Sequence, residues 1–235
     1  MESVFRDDPY ARSCEATVTA VDERGIQLDR TVFYARGGGQ DGDTGRLRLS
    51  DGAEIAIVDT IKGDTPDSAV HVPEDGAPRP AVGDAVSAEI DWERRYRMMR
   101  MHTCLHLLSA VLPYPVTGGQ VGDGKGRLDF DIPEAILDKE HIGAELNRLV
   151  AEDHKVTARW ISDDELLAQP DLVKTMAVKP PLGYGRVRLI DVEGLDLQPC
   201  GGTHVQGTGE IGQVAVRKIE KKGRQNRRVS LIFVE

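Results

Sequence analysis

Residues 92–112 read WERRYRMMRMHTCLHLLSAVL, without a glycine or proline, and Pro113 and Pro115 follow at once. A run of that length, rich in Arg, Met and Leu and closed by prolines, predicts a helix. Everything before it has a different rhythm. Alternating apolar and polar residues predict strands at Glu15–Val21, Ile26–Phe33, Arg46–Leu49 and Glu54–Asp59, with a further pair at Ala69–Val72 and Ala85–Ile90. Turn clusters such as GGGQDGDTG and PEDGAPRPAVGD separate them, which is the pattern of a small barrel or folded sheet. After the helix the signals mix. A second helix is expected after Pro133, with Ile142, Leu146, Leu149 and Val150 on one stripe. A short third one opens at Ser162, where Glu165 completes a capping box. Strands are expected at Val156–Ile161, Arg186–Val192, Gln213–Ile219 and Val229–Val234. The expected fold class is therefore α+β. A β-barrel-like N-terminal domain, residues 1–91, precedes an α+β domain, residues 92–235.

Composition narrows the function classes. No apolar run approaches the roughly 20 residues that span a bilayer, so no membrane partner is expected. The opening MESVFRDDPY has neither a basic nor an apolar signal-peptide region, and the expected location is cytoplasmic. Three widely spaced cysteines, Cys14, Cys104 and Cys200, do not form a disulfide framework. A net charge of −9 argues against indiscriminate nucleic-acid binding but not against a local basic groove.

Two residue pairs carry the chemistry. His102 and His106 stand four apart on the predicted helix and project from one face. Cys200 and His204 bracket a Gly-Gly-Thr loop, in which the glycines permit a tight turn. Each pair alone is a weak signal. Together, in a chain with only six histidines, they supply three imidazoles and a thiolate, a donor set suited to zinc. His71, His141 and His154 lack such partners and are read as surface or internally satisfied histidines.

The segments HTCLHLLSAVL (102–112), CGGTHV (200–205) and TVFYARGGGQDGDTG (31–45) resemble the editing domain of alanyl-tRNA synthetase and its freestanding AlaX-type relatives of medium length. The resemblance covers nearly the whole chain. It implies one zinc ion at His102, His106, Cys200 and His204, and hydrolysis of seryl and also glycyl esters made on tRNA(Ala). It places the family's glutamine at Gln120 and its serine-sensing threonine at Thr31. Ala35 and Asp41 stand where the family often has proline.

Hydrolysing an aminoacyl ester requires a placed water and stabilisation of the carbonyl oxygen, both within the reach of zinc. Four protein ligands, however, make a closed site. One candidate ligand then lies outside the first shell, or the metal takes a fifth ligand, or it only orients the substrate. Gln120, Thr103 and Gln40 are the candidate catalytic groups. Thr31, Gly38, Gly39, Gly202 and Thr203 are the candidates for binding the substrate end. Thr103 has a structural alternative, a bond back along its helix, as Gln40 has in a turn. Gly37, Gly39 and Gly42 fit GxGxxG by count, but the following DTGRLRLS alternates like a strand, which argues against dinucleotide binding. Two basic clusters are candidate contacts for the tRNA acceptor end: Arg94 and Arg95 in WERRYRMMR, and Lys221, Lys222, Arg224, Arg227 and Arg228 in RKIEKKGRQNRR. The alternatives are a deacylase for another mischarged tRNA and a non-catalytic, zinc-stabilised RNA-binding module.

Overall fold

The computed structural model describes residues 1–65, 67–132, 137–175 and 182–234. They divide into two compact units, Met1–Tyr96 and Arg97–Glu235.

The first unit contains β1 (Glu2–Ser3), the single turn α1 (Val4–Asp7), β2 (Ser13–Asp22), β3 (Gly25–Leu28), β4 (Arg30–Thr31), β5 (Gly45–Leu49), β6 (Glu54–Lys62), β7 (Ala69–Pro73) and β8 (Ala85–Ile90). β1 pairs in parallel with β4, and the remaining strands close a barrel in the order β2-β3-β7-β6-β5-β8. Alternation explains the closure. Val18, Leu28, Leu47, Ile55, Ile57, Val86 and Ala88 point inward and are buried, while their polar neighbours face out. The barrel thus has one filled interior and no unpaired sheet edge.

The glycine loop between β4 and β5 is a tight turn. Gly37 and Gln40 exchange backbone hydrogen bonds of 3.1 and 2.9 Å. Between them, Gly38 and Gly39 have φ of +57° and +85°. Two consecutive positive φ values define a type I′ turn, which favours glycine at both positions. Gly42 lies so close to β6 that an added Cβ would fall 2.1 Å from the Thr60 carbonyl oxygen. The strand-like reading of DTGRLRLS is correct, since β5 occupies it.

Within the same unit, Thr31 and His71 are fully buried and bonded to each other. His71 Nδ1 lies 3.0 Å from the Ile26 carbonyl, which can only accept, so Nδ1 carries the proton. Nε2 is then an acceptor and takes the Thr31 hydroxyl proton at 2.8 Å. Thr31 Oγ1 in turn accepts from the Phe33 amide at 3.0 Å. Burial pushes the His71 pKa down to about 4, against the donor interaction with Ile26. In the unfolded chain the group titrates near ~6.5. Between these values only the unfolded state binds the proton, so this contribution is complete above about pH 6.5 and shrinks as pH falls toward 4. Roughly 3 kcal/mol should be lost across that window. Urea midpoints at pH 4.5 and 7 for wild type and His71→Gln measure it. Equal pH slopes in the two proteins would refute the assignment.

The boundary between the units falls within helix α2 (Trp92–Val111). Beyond it, the second unit holds β9 (Val116–Gly122), β10 (Lys125–Asp131), α3 (Lys139–Ala151), β11 (Val156–Ser162), α4 (Asp163–Leu167), β12 (Arg186–Val192), β13 (Asp196–Pro199), β14 (Val214–Lys221) and β15 (Asn226–Phe233). One antiparallel sheet runs β14-β15-β10-β9 and another β11-β12-β13. Met98, Met99, Met101, Leu105, Leu107 and Leu108 are buried along α2. A Cβ at Gly126 would come 2.8 Å from Met101 Cγ, so this glycine lets β10 approach α2.

Helix α3 starts under the Asp138 cap, whose side chain accepts from Glu140 and His141 amides, and buries Ile142, Leu146, Leu149 and Val150. Pro133, placed before it in the sequence reading, lies outside the described residues. The capping box expected at Ser162 and Glu165 is present and starts α4. The sequence reading did not place β1, α1, the β9–β10 hairpin or β13. Glycines at 118, 119, 122, 124 and 126 mask the alternation of the hairpin, and β13 is only four residues long.

Candidate metal centre

Helix α2 presents His102 and His106 one turn apart, and the loop after β13 brings Cys200 and His204 to the same place. One ligand atom from each of the four residues lies within 4.8 Å of the others. Cys200 Sγ is 3.5 Å from His102 Nε2 and 3.3 Å from His204 Nε2. The rings of His102 and His204 have centroids 4.2 Å apart, those of His106 and His204 4.7 Å. The three histidines are buried and Cys200 is half-buried. Three imidazoles at van der Waals distance around a thiol satisfy no packing need. They do fit the requirement of a small, borderline-soft cation.

The backbone of the loop is held by Arg188 on β12. Its NH1 donates to the carbonyls of Cys200 at 3.1 Å and Gly202 at 2.9 Å. The Cys200 amide returns a bond to the Arg188 carbonyl at 3.0 Å. Neither Arg188 nor its role was visible in the sequence, because an arginine at an alternating strand position ordinarily faces solvent. Thr103 is fully buried next to the cluster. Its Oγ1 lies 3.1 Å from His204 Nδ1 and accepts from the Val205 amide at 3.3 Å. With Nδ1 held there, His204 turns Nε2 toward Cys200.

Electrostatics favour the deprotonated thiol. Burial raises the Cys200 pKa, but the positive potential of His102 and His204 outweighs it and holds the thiol well below its usual range. His204 is pushed down by burial and by the charge of His102. For His106 burial acts downward, yet its bonds to Asp196 and Cys200 carry it up to about 9. The thiol is thereby biased toward the anionic form that a cation would bind.

Gln120 sits on β9, exposed, with Arg127 across the strand pair donating to its Oε1 at 3.4 Å. Gly202 and Thr203 are buried in the loop itself. Thr31, Gly38, Gly39 and Gln40 belong to the barrel unit, and Gln40 is fully buried. Of the basic residues, Lys221, Lys222 and Arg224 are exposed at the end of the β14–β15 hairpin. Lys222 lies 3.2 Å from Glu220. Arg228 forms a two-pronged pair with Asp129, at 2.7 and 2.8 Å, and Arg227 NH1 donates to the Asn226 carbonyl at 3.2 Å.

Of the two arginines in the first turn of α2, one does not reach the surface. Arg95 is fully buried, with its guanidinium bonded to both Asp43 oxygens and to the Val32 and Pro9 carbonyls. It is a core residue and offers no surface to a phosphate. Arg94 NH1 donates to the Gly42 carbonyl at 2.7 Å, so that its neighbour also has a partner within the protein.

Comparison with known proteins now identifies the family. Residues 187–230 match the family model described as threonyl and alanyl tRNA synthetase second additional domain. Residues 8–94 match the model for tRNA synthetases class II (A). The alanyl-tRNA editing protein AlaX-M of Methanosarcina mazei is 38% identical over 240 residues, covering 97% of this chain and 94% of its own. That of Methanosarcina acetivorans is also 38% identical, covering 100% of this chain and 99% of its own. The chain belongs to the AlaX-M family of alanyl-tRNA editing proteins. The AlaX-M likeness extends into a larger enzyme. The alanine–tRNA ligase of Aeropyrum pernix is 36% identical over 218 residues, which span 89% of this chain but 23% of the ligase. The GGGQ loop and the CGGTHV loop that pointed to AlaX-M in the sequence fall within these matched regions. No helix among the described residues is long and apolar enough to cross a membrane.

Proposed function

We propose that this chain hydrolyses the aminoacyl ester of mischarged tRNA(Ala), releasing serine, and glycine as well, at one zinc ion held by His102, His106, Cys200 and His204. The observation that carries the reading is the buried three-histidine, one-cysteine cluster in a chain of the AlaX-M family. Zinc bound there would supply Lewis-acid polarisation of the ester carbonyl and a lowered pKa for a coordinated water. The protein's own groups do the rest. Thr103 and Arg188 keep His204 and the Cys200 loop in place. Gln120, Gln40, Gly38, Gly39, Gly202 and Thr203 are assigned to water and to the substrate end, and the exposed basic tip of the β14–β15 hairpin to tRNA phosphates.

The need for editing follows from binding limits. A pocket made for alanine gains little discrimination against glycine, which lacks a methyl group, or serine, which adds a hydroxyl. A second site that bonds the serine hydroxyl can spare alanine, since alanine would leave its buried partner unpaired. Thr31 is assigned to that task as an acceptor on the family resemblance. Its own proton goes to His71, and an oxygen lone pair remains after the Phe33 amide is counted.

Release of labelled amino acid from Ser-, Gly- and Ala-charged tRNA(Ala) tests the proposal. Serine or glycine should be released quickly and alanine spared, with binding that weakens steeply as salt rises. No release from any of the three would overturn the reading.

A further inference from the structure

Strand β13 carries Asp196 and Gln198 on one face, two residues apart, and Cys200 continues the alternation just past its end. That face meets α2 at His106 and Ser109. Asp196 is buried, and so are Gln198, His106 and Ser109. Asp196 Oδ2 lies 2.7 Å from His106 Nδ1, and Asp196 Oδ1 lies 2.5 Å from Lys174 Nζ.

The protons in this cluster can be assigned one by one. Lysine only donates, so Oδ1 of Asp196 accepts from Lys174. The Gln198 amide nitrogen has two protons, directed to Asp196 Oδ2 at 2.8 Å and Ser109 Oγ at 3.2 Å. The Ser109 hydroxyl donates onward to the His106 carbonyl at 2.9 Å. His106 Nδ1 therefore faces a carboxylate that accepts and an amide that donates, and it must carry a proton itself. Its 3.2 Å approach to Gln198 Nε2 is then two donors side by side and not a hydrogen bond. With Asp196 ionised beside Lys174, each of these donors meets an acceptor only if Nδ1 carries the proton.

We infer that Asp196, neutralised by Lys174 and fenced by Gln198, is the positioning residue that fixes His106 with its proton on Nδ1 and its Nε2 lone pair toward the metal. The inference rests on the metal reading given above and deepens it. Asp196 touches neither substrate nor metal; it acts through the imidazole. A histidine ligand must be neutral, and without this carboxylate it would divide between two tautomers and rotate about its side-chain bonds. The carboxylate also makes the imidazole a more basic ligand. Thr103 occupies the corresponding place beside His204 Nδ1, but as a neutral hydroxyl. The charged partner at His106 should therefore weigh more on metal affinity.

The experiment measures zinc affinity by chelator competition for wild type, Asp196→Asn and Asp196→Ala. Spectra of the cobalt-substituted proteins and far-UV circular dichroism of the metal-free ones accompany it. Affinity should fall about 10–100-fold in both variants, with the greater loss in Asp196→Ala. The cobalt–thiolate absorption should change shape while the metal-free fold of Asp196→Asn stays as in wild type. Wild-type affinity and an unchanged cobalt spectrum in Asp196→Asn would overturn the inference and leave the metal reading standing. So would a fall in affinity matched by loss of fold in metal-free Asp196→Asn. A wild type that binds neither zinc nor cobalt would overturn the metal reading itself, and the inference with it.

Discussion

Cys200→Ala is expected to release serine from mischarged tRNA(Ala) at least about 100-fold more slowly than wild type. It should also lose most of its bound zinc on dialysis against a mild chelator. The size of the effect follows from what the thiol does in the cluster. It lies 3.5 and 3.3 Å from His102 and His204, and it also bonds to His106. Its proton is already discouraged by the charge of His102 and His204. Removing it takes away the only anionic donor of the set and leaves three imidazoles to share one cation. The sulfur also accepts from the Gly202 amide at 3.5 Å, but Arg188 holds the Cys200 and Gly202 carbonyls independently of it. The fold of the variant should therefore survive. Circular dichroism together with a deacylation assay separates the readings. Retained fold with lost activity supports an editing hydrolase. Unfolding on zinc removal, with no deacylation by wild type, would instead point to a zinc-stabilised RNA-binding module. Full activity in Cys200→Ala would remove the cluster from the chemistry.

The second large effect is structural. Asp43→Ala is expected to destabilise the barrel unit by about 3–5 kcal/mol. Asp43 and Arg95 have side chains 1% and 0% exposed. The carboxylate also accepts from the Tyr34 amide at 2.6 Å, and its residue's carbonyl accepts from Thr60 Oγ1 at 2.9 Å. One ion pair thus joins the end of the glycine loop to the first turn of α2. Removing the carboxylate strands a guanidinium where water does not reach, and that loss exceeds the worth of the pair itself. A replacement of both partners by apolar residues, Asp43→Leu with Arg95→Met, should cost distinctly less than Asp43→Ala. Urea unfolding followed by Trp92 fluorescence, in a Trp160→Phe background, reads this unit directly, since Trp92 packs against Tyr10 and Tyr96 within it. A loss below about 1 kcal/mol in Asp43→Ala would mean that the pair is solvated in solution.

The two predictions also mark where the sequence could and could not be read. His102 and His106 were legible because helix geometry is local: a spacing of four on a predicted helix puts two rings on one face. Cys200 and His204 were legible because two glycines and a donor at each end form a compact unit. Barrel strands were legible through their period of two. The short α4 was legible through Ser162 and Glu165, which interact over three residues. Each of these signals is contained within a few positions of the chain.

Asp43 and Arg95 show the opposite case. Arg95 stands in a run of arginines that reads as a solvated, phosphate-seeking face, and nothing within five residues says that an aspartate 52 positions earlier will bury it. Asp196 is silent in the same way, since its partners His106 and Lys174 lie 90 and 22 residues distant. By itself the sequence determined helices α2 to α4, the barrel's alternation and the four candidate ligands, because those depend on backbone periodicity and on residues near one another. Tertiary structure alone decided which charges are buried, which proton each histidine holds, and which arginines remain for a partner. Such properties arise from desolvation and from hydrogen bonds between distant segments, and these exist only once the chain has closed around them.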